Sequence, residues 1–168
     1  IAGRAGSPLA LHVDAADRQH YEVPAAFFQA CLGKRLKYSS CYYRTGHETL
    51  DQAEEAMLDL YGQRAGLRDG QDILELGCGW GSLTLWVAER HPQAHITALC
   101  ASPLQEAFIA PRGRERALFN VAVIASHTPS LSLAEGRFDR LVSLALFEHL
   151  LSSSPTLARP PRWLPPGA

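Results

Sequence analysis

Three glycines at alternate positions, Gly77, Gly79 and Gly81, follow a short apolar run, Ile73-Leu74-Glu75-Leu76, and precede a helical pattern from Ser82 to His91 that Pro92 stops. A turn of this composition lets backbone come close to a ligand, because a side chain at any of the three would fill the space of a ribose or small acyl group. The pattern alone leaves its use open. Nicotinamide and flavin enzymes, nucleotide binders and methyltransferases all carry it, and glycines can also form nothing more than a tight turn. Glu75 adds a carboxylate beside the turn that can meet a cationic ligand, or can simply hydrogen-bond nearby backbone.

The surroundings narrow the choice. A dinucleotide site calls for an acid about 20 residues beyond the turn to hold ribose hydroxyls, and Thr97 to Ser102 contains none. S-adenosylmethionine carries a sulfonium and an ammonium but no phosphate, so it needs acceptors and close backbone. Glu75 at the turn favours that methyl donor. Cys31, Cys41, Cys78 and Cys100 form no CxxC pair, and of the seven histidines only His91 and His95 are four apart, with Pro92 between them and no HExxH, so zinc and other metal sites are not expected. Free thiols are expected, as suits a chain long enough to have its own core.

Several elements must position the turn. Val23 to Leu32 carries apolar residues at three- to five-residue spacing and predicts a short helix ended by Gly33. Thr49 with Gln52 forms a capping box ahead of a stripe of Ala53, Ala56, Met57, Leu60 and Tyr61, with Gly66 as its stop. Ile96 to Cys100 predicts a second strand, Ser102-Pro103 the start of a helix reaching about Phe119 and interrupted by Pro111, Val121 to Ile124 a third strand, and Phe138 to Ala145 a fourth. Strands alternating with helices predict an α/β fold with a mainly parallel, Rossmann-like sheet. Arg112, Arg114 and Arg116 read as a solvated helix face, Trp86 as core, and Trp80 as either a cofactor flank or simple packing.

Composition sets the outer bounds. The 168 residues, 46% hydrophobic and 20% charged, describe an ordinary folded chain, and a formal charge of -1 gives no pull toward nucleic acid or anionic lipid. No apolar run approaches the ~18 residues of a membrane span, and no signal peptide opens the chain, so a cytoplasmic location is expected. A start at Ile1, with Met57 the only methionine, reads as a piece of a longer product. The expected divisions are a flexible arm (1–19), an N-terminal helical segment (20–66), a partial cofactor-binding domain (67–150) and a proline-rich tail (151–168). The tail holds five of the eleven prolines and is expected to be extended and disordered.

Five stretches taken together carry a resemblance: HYEVPAAFF (20–28), LGKRLKYSSCYY (32–43), TLDQAEEAMLDLY (49–61), DILELGCGWGSLTLWVAERHP (72–92) and FDRLVSLALFEHL (138–150). In this order they resemble the S-adenosylmethionine-dependent methyltransferases that include cyclopropane-fatty-acyl-phospholipid synthases, mycolic acid methyltransferases and plant coclaurine N-methyltransferases. The resemblance implies that S-adenosylmethionine is held by Tyr38 and Ser39, by Glu75, Gly77, Cys78, Gly79, Trp80, Gly81 and Ser82, by Ser102 and Gln105 as ribose partners, and by Ser126 after the third strand. It implies that Glu148 and His149 are catalytic. For an amine acceptor Glu148 would hold the ammonium and His149 would take a proton, whereas for a lipid olefin the pair would help place a bicarbonate base near a carbocation.

Departures from the family wording bear on the acceptor. Cyclopropane synthases read Tyr-Ser-Cys where this chain has Tyr38-Ser39-Ser40, and the N-methyltransferases carry a Glu where it has Ala145. The third strand leads into Ala125-Ser126-His127-Thr128 rather than an acid or a Trp-Glu pair. The wording of 32–43 and 56–61 leans toward a small-molecule amine, with a lipid acyl chain as the second reading. A truncated, catalytically inactive cofactor binder is the third, because the family continues with further strands and helices. Loss of those neighbours would leave Leu141 to Leu146 as an uncovered edge, for which self-association is expected.

Overall fold

The computed structural model describes residues 23–126, 133, 135–146 and 160–165. Its elements are helices α1 (Ala25–Cys31) and α2 (Leu50–Ala65), strand β1 (Asp72–Leu76), helix α3 (Ser82–Arg90), strand β2 (His95–Cys100), helix α4 (Pro103–Glu115), strands β3 (Val121–Ala125) and β4 (Arg140–Ser143), and one helical turn, α5 (Pro160–Trp163). The four strands form a parallel sheet in the order β3-β2-β1-β4. Chain order therefore reverses at β1, and parallel α/β sheets bind ligands outside the carboxyl ends of their strands at such a reversal. The glycine turn leaves β1 at that place.

Local chemistry fixes the helix ends. Thr49 accepts from the Gln52 N–H while the Gln52 side chain accepts from the Thr49 N–H, and Gly66 closes α2 in the left-handed region at φ 60°. Helix α1 is two residues shorter at its start than its spacing predicts. It stops when Leu32 becomes extended, one residue before the expected glycine. Helix α4 runs across Pro111 for another turn, so the proline does not interrupt it, and Ala117 at φ 57° ends it with the Leu118 N–H bonded to the Gly113 carbonyl. The predicted fourth strand shrinks to four residues, because Ala145 turns left-handed at φ 54°.

One face of the sheet packs on α2, α3 and α4. Ile73, Ile96, Ala98 and Cys100 meet Leu58, Leu83, Trp86, Val87 and Ile109 there, with Leu58 and Ile109 fully buried. Trp86 is core, as its place in α3 predicts, and its Nε1–H donates to Glu55 at 2.9 Å. The opposite face presents Leu74, Leu76 and Leu99 to Phe138 and Trp163.

That second contact overturns the expectation of a disordered end for residues 160–165. Trp163 is 4% exposed, its carbonyl accepts from the Phe138 N–H at 2.9 Å, and the Arg162 carbonyl accepts from the Gly136 N–H at 2.7 Å. The prolines begin a helical turn, where a missing N–H costs nothing. The apolar area of one tryptophan then outweighs the entropy of ordering a short segment.

Candidate functional site

All three glycines of the turn lie in the left-handed region, with φ of 76°, 55° and 82° at Gly77, Gly79 and Gly81. The turn is tied to β2, since the Gly77 and Cys78 N–H groups both donate to the Leu99 carbonyl, at 3.0 and 2.8 Å. The glycines differ in what they make room for. A Cβ on Gly81 would come within 2.9 Å of Ile109, and one on Gly77 within 3.3 Å of Leu146, while one on Gly79 would meet nothing within 4 Å. Gly79 alone keeps open space, so the expectation that all three spare ligand room is corrected. Gly81 and Gly77 serve close packing against α4 and against the exit of β4.

Glu75 lies in a buried layer, 3% exposed, and accepts from the Thr84 hydroxyl at 2.6 Å. Its partner is thus a side chain of α3 rather than backbone. Burial pushes its carboxyl up to about 7, the Thr84 hydrogen bond opposing this only in part. Such a group is poised to become fully charged when a cation approaches. Cys78 is also buried. Its hydrogen bond with Cys100, together with burial, holds its thiol well above the usual range, so it is no nucleophile near neutral pH. Cys31, Cys41, Cys78 and Cys100 are all free thiols. Among the described residues no group of three His, Cys, Asp or Glu side chains could hold a metal ion.

Among the described residues, buried side-chain polar atoms without partners concentrate around this turn. They are Trp80 Nε1, Ser82 Oγ and both amide atoms of Gln105, which is 1% exposed. Each such group costs about 1–3 kcal/mol unless a partner is supplied, so an unspent set of two N–H donors, a carbonyl acceptor and a hydroxyl fits a polar ligand bound here. Ser102 caps α4, accepting from the Leu104 N–H at 3.2 Å, which leaves its hydroxyl hydrogen and a second lone pair available. Ser126 follows β3, and its N–H donates to the Cys100 carbonyl at 2.9 Å. These groups emerge from the carboxyl ends of β1, β2 and β3. The Trp80 ring does pack, tilted against Phe28 at a centroid distance of 4.9 Å and edge-to-face with Phe108 at 5.1 Å, yet its N–H stays unpaired.

Tyr38 and Ser39 lie on a loop that α2 holds in place. Glu54, completely buried, accepts the N–H groups of Gly33, Arg35 and Lys37 at 2.8–3.1 Å, and Asp51 accepts that of Lys34 at 2.8 Å. Gly33 must be glycine for this, since a Cβ would stand 2.6 Å from a Glu54 carboxylate oxygen. Lys37 is 3% exposed, donates to Ser39 Oγ at 2.6 Å and the Ser40 carbonyl at 2.8 Å, and is held below its usual pKa by burial. The Ser39 hydroxyl is therefore partly engaged. Tyr38 leans edge-on against Phe28 and remains 55% exposed. Glu54, Lys37 and Phe28 have no signature in the sequence pattern. Gly33, read there only as a helix stop, is the one residue that hints at the clamp.

Glu148 and His149 lie outside the described residues, which end on this side at Leu146. A cavity of about 340 Å³ opens beside the turn, between the 29–36 loop, Asp51, α3 and α4, and Trp80, Gly81 and Ser82 line part of it. It contains none of Tyr38, Ser39, Gly79, Ser102 or Gln105. Of its cations, Arg35 and Arg116 are paired with Glu89, Lys34 with Asp51, and Arg112 lies over the Phe108 ring. The cavity thus adjoins the turn at Trp80 and Ser82, two of the residues with unpaired polar atoms, while the third, Gln105, lies outside its lining.

Comparison with known proteins bears on the same residues. The family model for mycolic acid cyclopropane synthetase matches residues 12–155. The (S)-coclaurine N-methyltransferase of Thalictrum flavum subsp. glaucum is 38% identical over 156 residues, 93% of this chain and 43% of that protein. A crystal structure of coclaurine N-methyltransferase bound to N-methylheliamine and SAH superposes with a TM-score of 0.91 at 39% identity, over 95% of this chain and 46% of that one. A mycolic acid cyclopropane synthase complexed with SAH and CTAB gives 0.81 at 25% identity, over 94% and 55%. The chain thus spans less than half the length of the N-methyltransferase it matches. With its parallel sheet, its glycine turn and a family match over most of its length, the chain belongs to the mycolic acid cyclopropane synthetase family.

Proposed function

We propose that this chain forms the donor-binding part of an S-adenosylmethionine-dependent methyltransferase whose acceptor is a small-molecule amine. The observation that carries the donor assignment is the set of unpaired, buried polar atoms on Trp80, Ser82 and Gln105 around the open Gly79. When bound, S-adenosylmethionine supplies a methyl group on sulfur that is electrophilic toward an amine nitrogen. The protein's part is alignment and charge. Gln105, with donor and acceptor unspent, and Ser102 hold the ribose hydroxyls, Ser126 faces the base, and Tyr38 and Ser39 close the site from the N-terminal loop. Gly77, Cys78, Gly79 and Gly81 offer backbone, and Glu75 balances positive charge from below. Glu148 holds the acceptor as its ammonium, and His149 takes the proton from nitrogen to free the lone pair that forms the carbon–nitrogen bond, while the carbon–sulfur bond of a bound donor would break with its electron pair kept on sulfur. The identities of 38% and 39% to N-methyltransferases support the amine.

Titration calorimetry with S-adenosylhomocysteine and with NAD tests the donor site. Heat with the former and none with the latter is expected, and the reverse would refute the assignment. Mass spectrometry of products after incubation with amines and S-adenosylmethionine tests turnover. Glu148→Ala should abolish it while sparing S-adenosylhomocysteine binding, and an inactive parent that still binds would support the inert-binder reading. A lipid acyl acceptor is the second reading, favoured by the family model and the 0.81 likeness to a cyclopropane synthase. A methylene or methyl mass increment in fatty acids from phospholipid vesicles would select it.

The unpaired edge of β4 within the described sheet supports self-association, which size-exclusion chromatography reads directly. No described helix is long and apolar enough to cross a membrane. The four free thiols support a reducing, cytoplasmic location.

A further inference from the structure

We infer that Trp163 is a positioning residue for the donor site: through the apolar cluster it completes, the 160–165 segment holds Leu146 as a wall over the glycine turn. This rests on the donor-binding reading above but names residues which that reading leaves out. Four observations connect the two ends. Leu146 lies so close to Gly77 that an added Cβ would stand 3.3 Å from it, so it covers the first glycine of the turn. Leu146 and Leu164 both pack against one cluster, made of Leu74, Leu76, Leu99, Phe138 and Trp163. The exit of β4 is pinned to β1, where the Ser143 hydroxyl donates to the Leu76 carbonyl at 3.1 Å. Between pin and wall, Ala145 sits at φ 54°, a conformation that non-glycine residues adopt only at a cost.

The strain is informative because nothing at Ala145 itself returns it; the side chain is exposed. A residue kept in that region must be over-determined by its surroundings, and such places cluster at ligand sites. Here the surrounding contact is Leu146 in its cluster. Trp163 contributes the largest side chain to that cluster and is anchored through its own carbonyl and that of Arg162, which accept from the Phe138 and Gly136 N–H groups. Removing the indole would leave the second face of the sheet with Phe138 as its one fully buried cover among the described residues. Leu146 would then lose its backing, and the turn, tied to β2 by the Leu99 carbonyl and by Cys78 with Cys100, would gain freedom on its Leu146 side. Ligand binding to a turn that must first be ordered is weaker by the cost of ordering it.

The test uses the full chain and four variants, Trp163→Ala, Trp163→Phe, Leu146→Ala and the exposed control Phe119→Ala. Calorimetry with S-adenosylhomocysteine should show Leu146→Ala and Trp163→Ala weakened about tenfold, with Trp163→Phe and Phe119→Ala close to the parent. Restoration by Phe separates backing of the wall from gross unfolding. Should Trp163→Ala fail to fold, Leu146→Ala and Trp163→Phe decide alone. A Leu146→Ala chain that binds as tightly as the parent overturns the inference. Amide hydrogen exchange without ligand gives a second readout: Gly77 and Cys78 should exchange about tenfold faster in Leu146→Ala than in the parent. If the parent fails to bind S-adenosylhomocysteine, the donor reading falls while the exchange rates still judge the wall. Unchanged exchange there would overturn it.

Discussion

On one face of the sheet Ile73, Ile96, Ala98 and Cys100 meet three helices, two of which the chain lays down by short crossovers between neighbouring strands. On the other face Leu74, Leu76 and Leu99 meet Phe138 and Trp163, the latter 87 residues beyond the end of β1 and 63 beyond the end of β2 in the chain. The first face is redundant, with Leu58, Trp86, Val87, Ala88 and Ile109 sharing its closure. Among the described residues the second rests on two buried aromatic side chains, with Leu133, Leu141, Leu146 and Leu164 packed beside them. Stability is therefore spread out on the side away from the β4 exit and concentrated on the side that backs Leu146, so single substitutions should expose the difference.

The largest effect should come from Trp163→Ala. It should lower unfolding free energy by about 3–5 kcal/mol in urea titration, against about 2–3 kcal/mol for Leu58→Ala on the redundant face. Equal losses would mean that the faces are closed alike. Next is the pH dependence of Glu75, which sits under the helical face. Its folded pKa, raised to about 7, lies above the ordinary value of 4.5, so the folded state holds the proton more tightly. Its favourable contribution is complete below about pH 4.5, is lost as pH rises to about 7, and changes little beyond; the total is about 3 kcal/mol. Glu75→Gln should flatten that slope, and a slope that persists in denaturation midpoints between about pH 5 and 8 would reject Glu75 as its source.

Gly81→Ala and Gly79→Ala separate packing from ligand room. The first collides with Ile109 and should cost about 2–3 kcal/mol. The second carries only backbone strain of about 1 kcal/mol, with its larger consequence in calorimetry with S-adenosylhomocysteine. Loss of affinity in Gly79→Ala without loss of fold is the expected result. The smallest change should be Ala145→Gly, which relieves the left-handed residue and should raise the melting free energy by about 0.5 kcal/mol while loosening Leu146. A lower melting free energy would show that Ala145 is unstrained.

The same contrast explains what could be read from the chain before its structure. The helical face follows from local patterns: the Thr49–Gln52 box, the Ile73–Leu76 strand, the glycines and the Ser82 helix each announce themselves within a few residues. The second face does not. Proline-rich wording around Trp163 reads as extended chain, and only tertiary contact reveals that a buried indole reverses this. Within the site, Ser102 and Gln105 came from family resemblance alone, because one polar residue at the start of a helix looks like any other. The division of labour among Gly77, Gly79 and Gly81 depends on Ile109 and Leu146, distant in sequence, and is invisible in the spacing. Glu54 could not be recognised either, since its three partners lie 17 to 21 residues before it.

All three tryptophans of the chain are buried, and each belongs to a different layer: Trp80 in the glycine turn, Trp86 in the helical face and Trp163 behind the second face. The molecule thereby carries its own optical reporters. Trp86, whose N–H meets a carboxylate, should emit at longer wavelength than Trp80, whose N–H is unpaired. Chains that keep one indole at a time would then resolve the order in which turn, helices and tail come apart, without any added label.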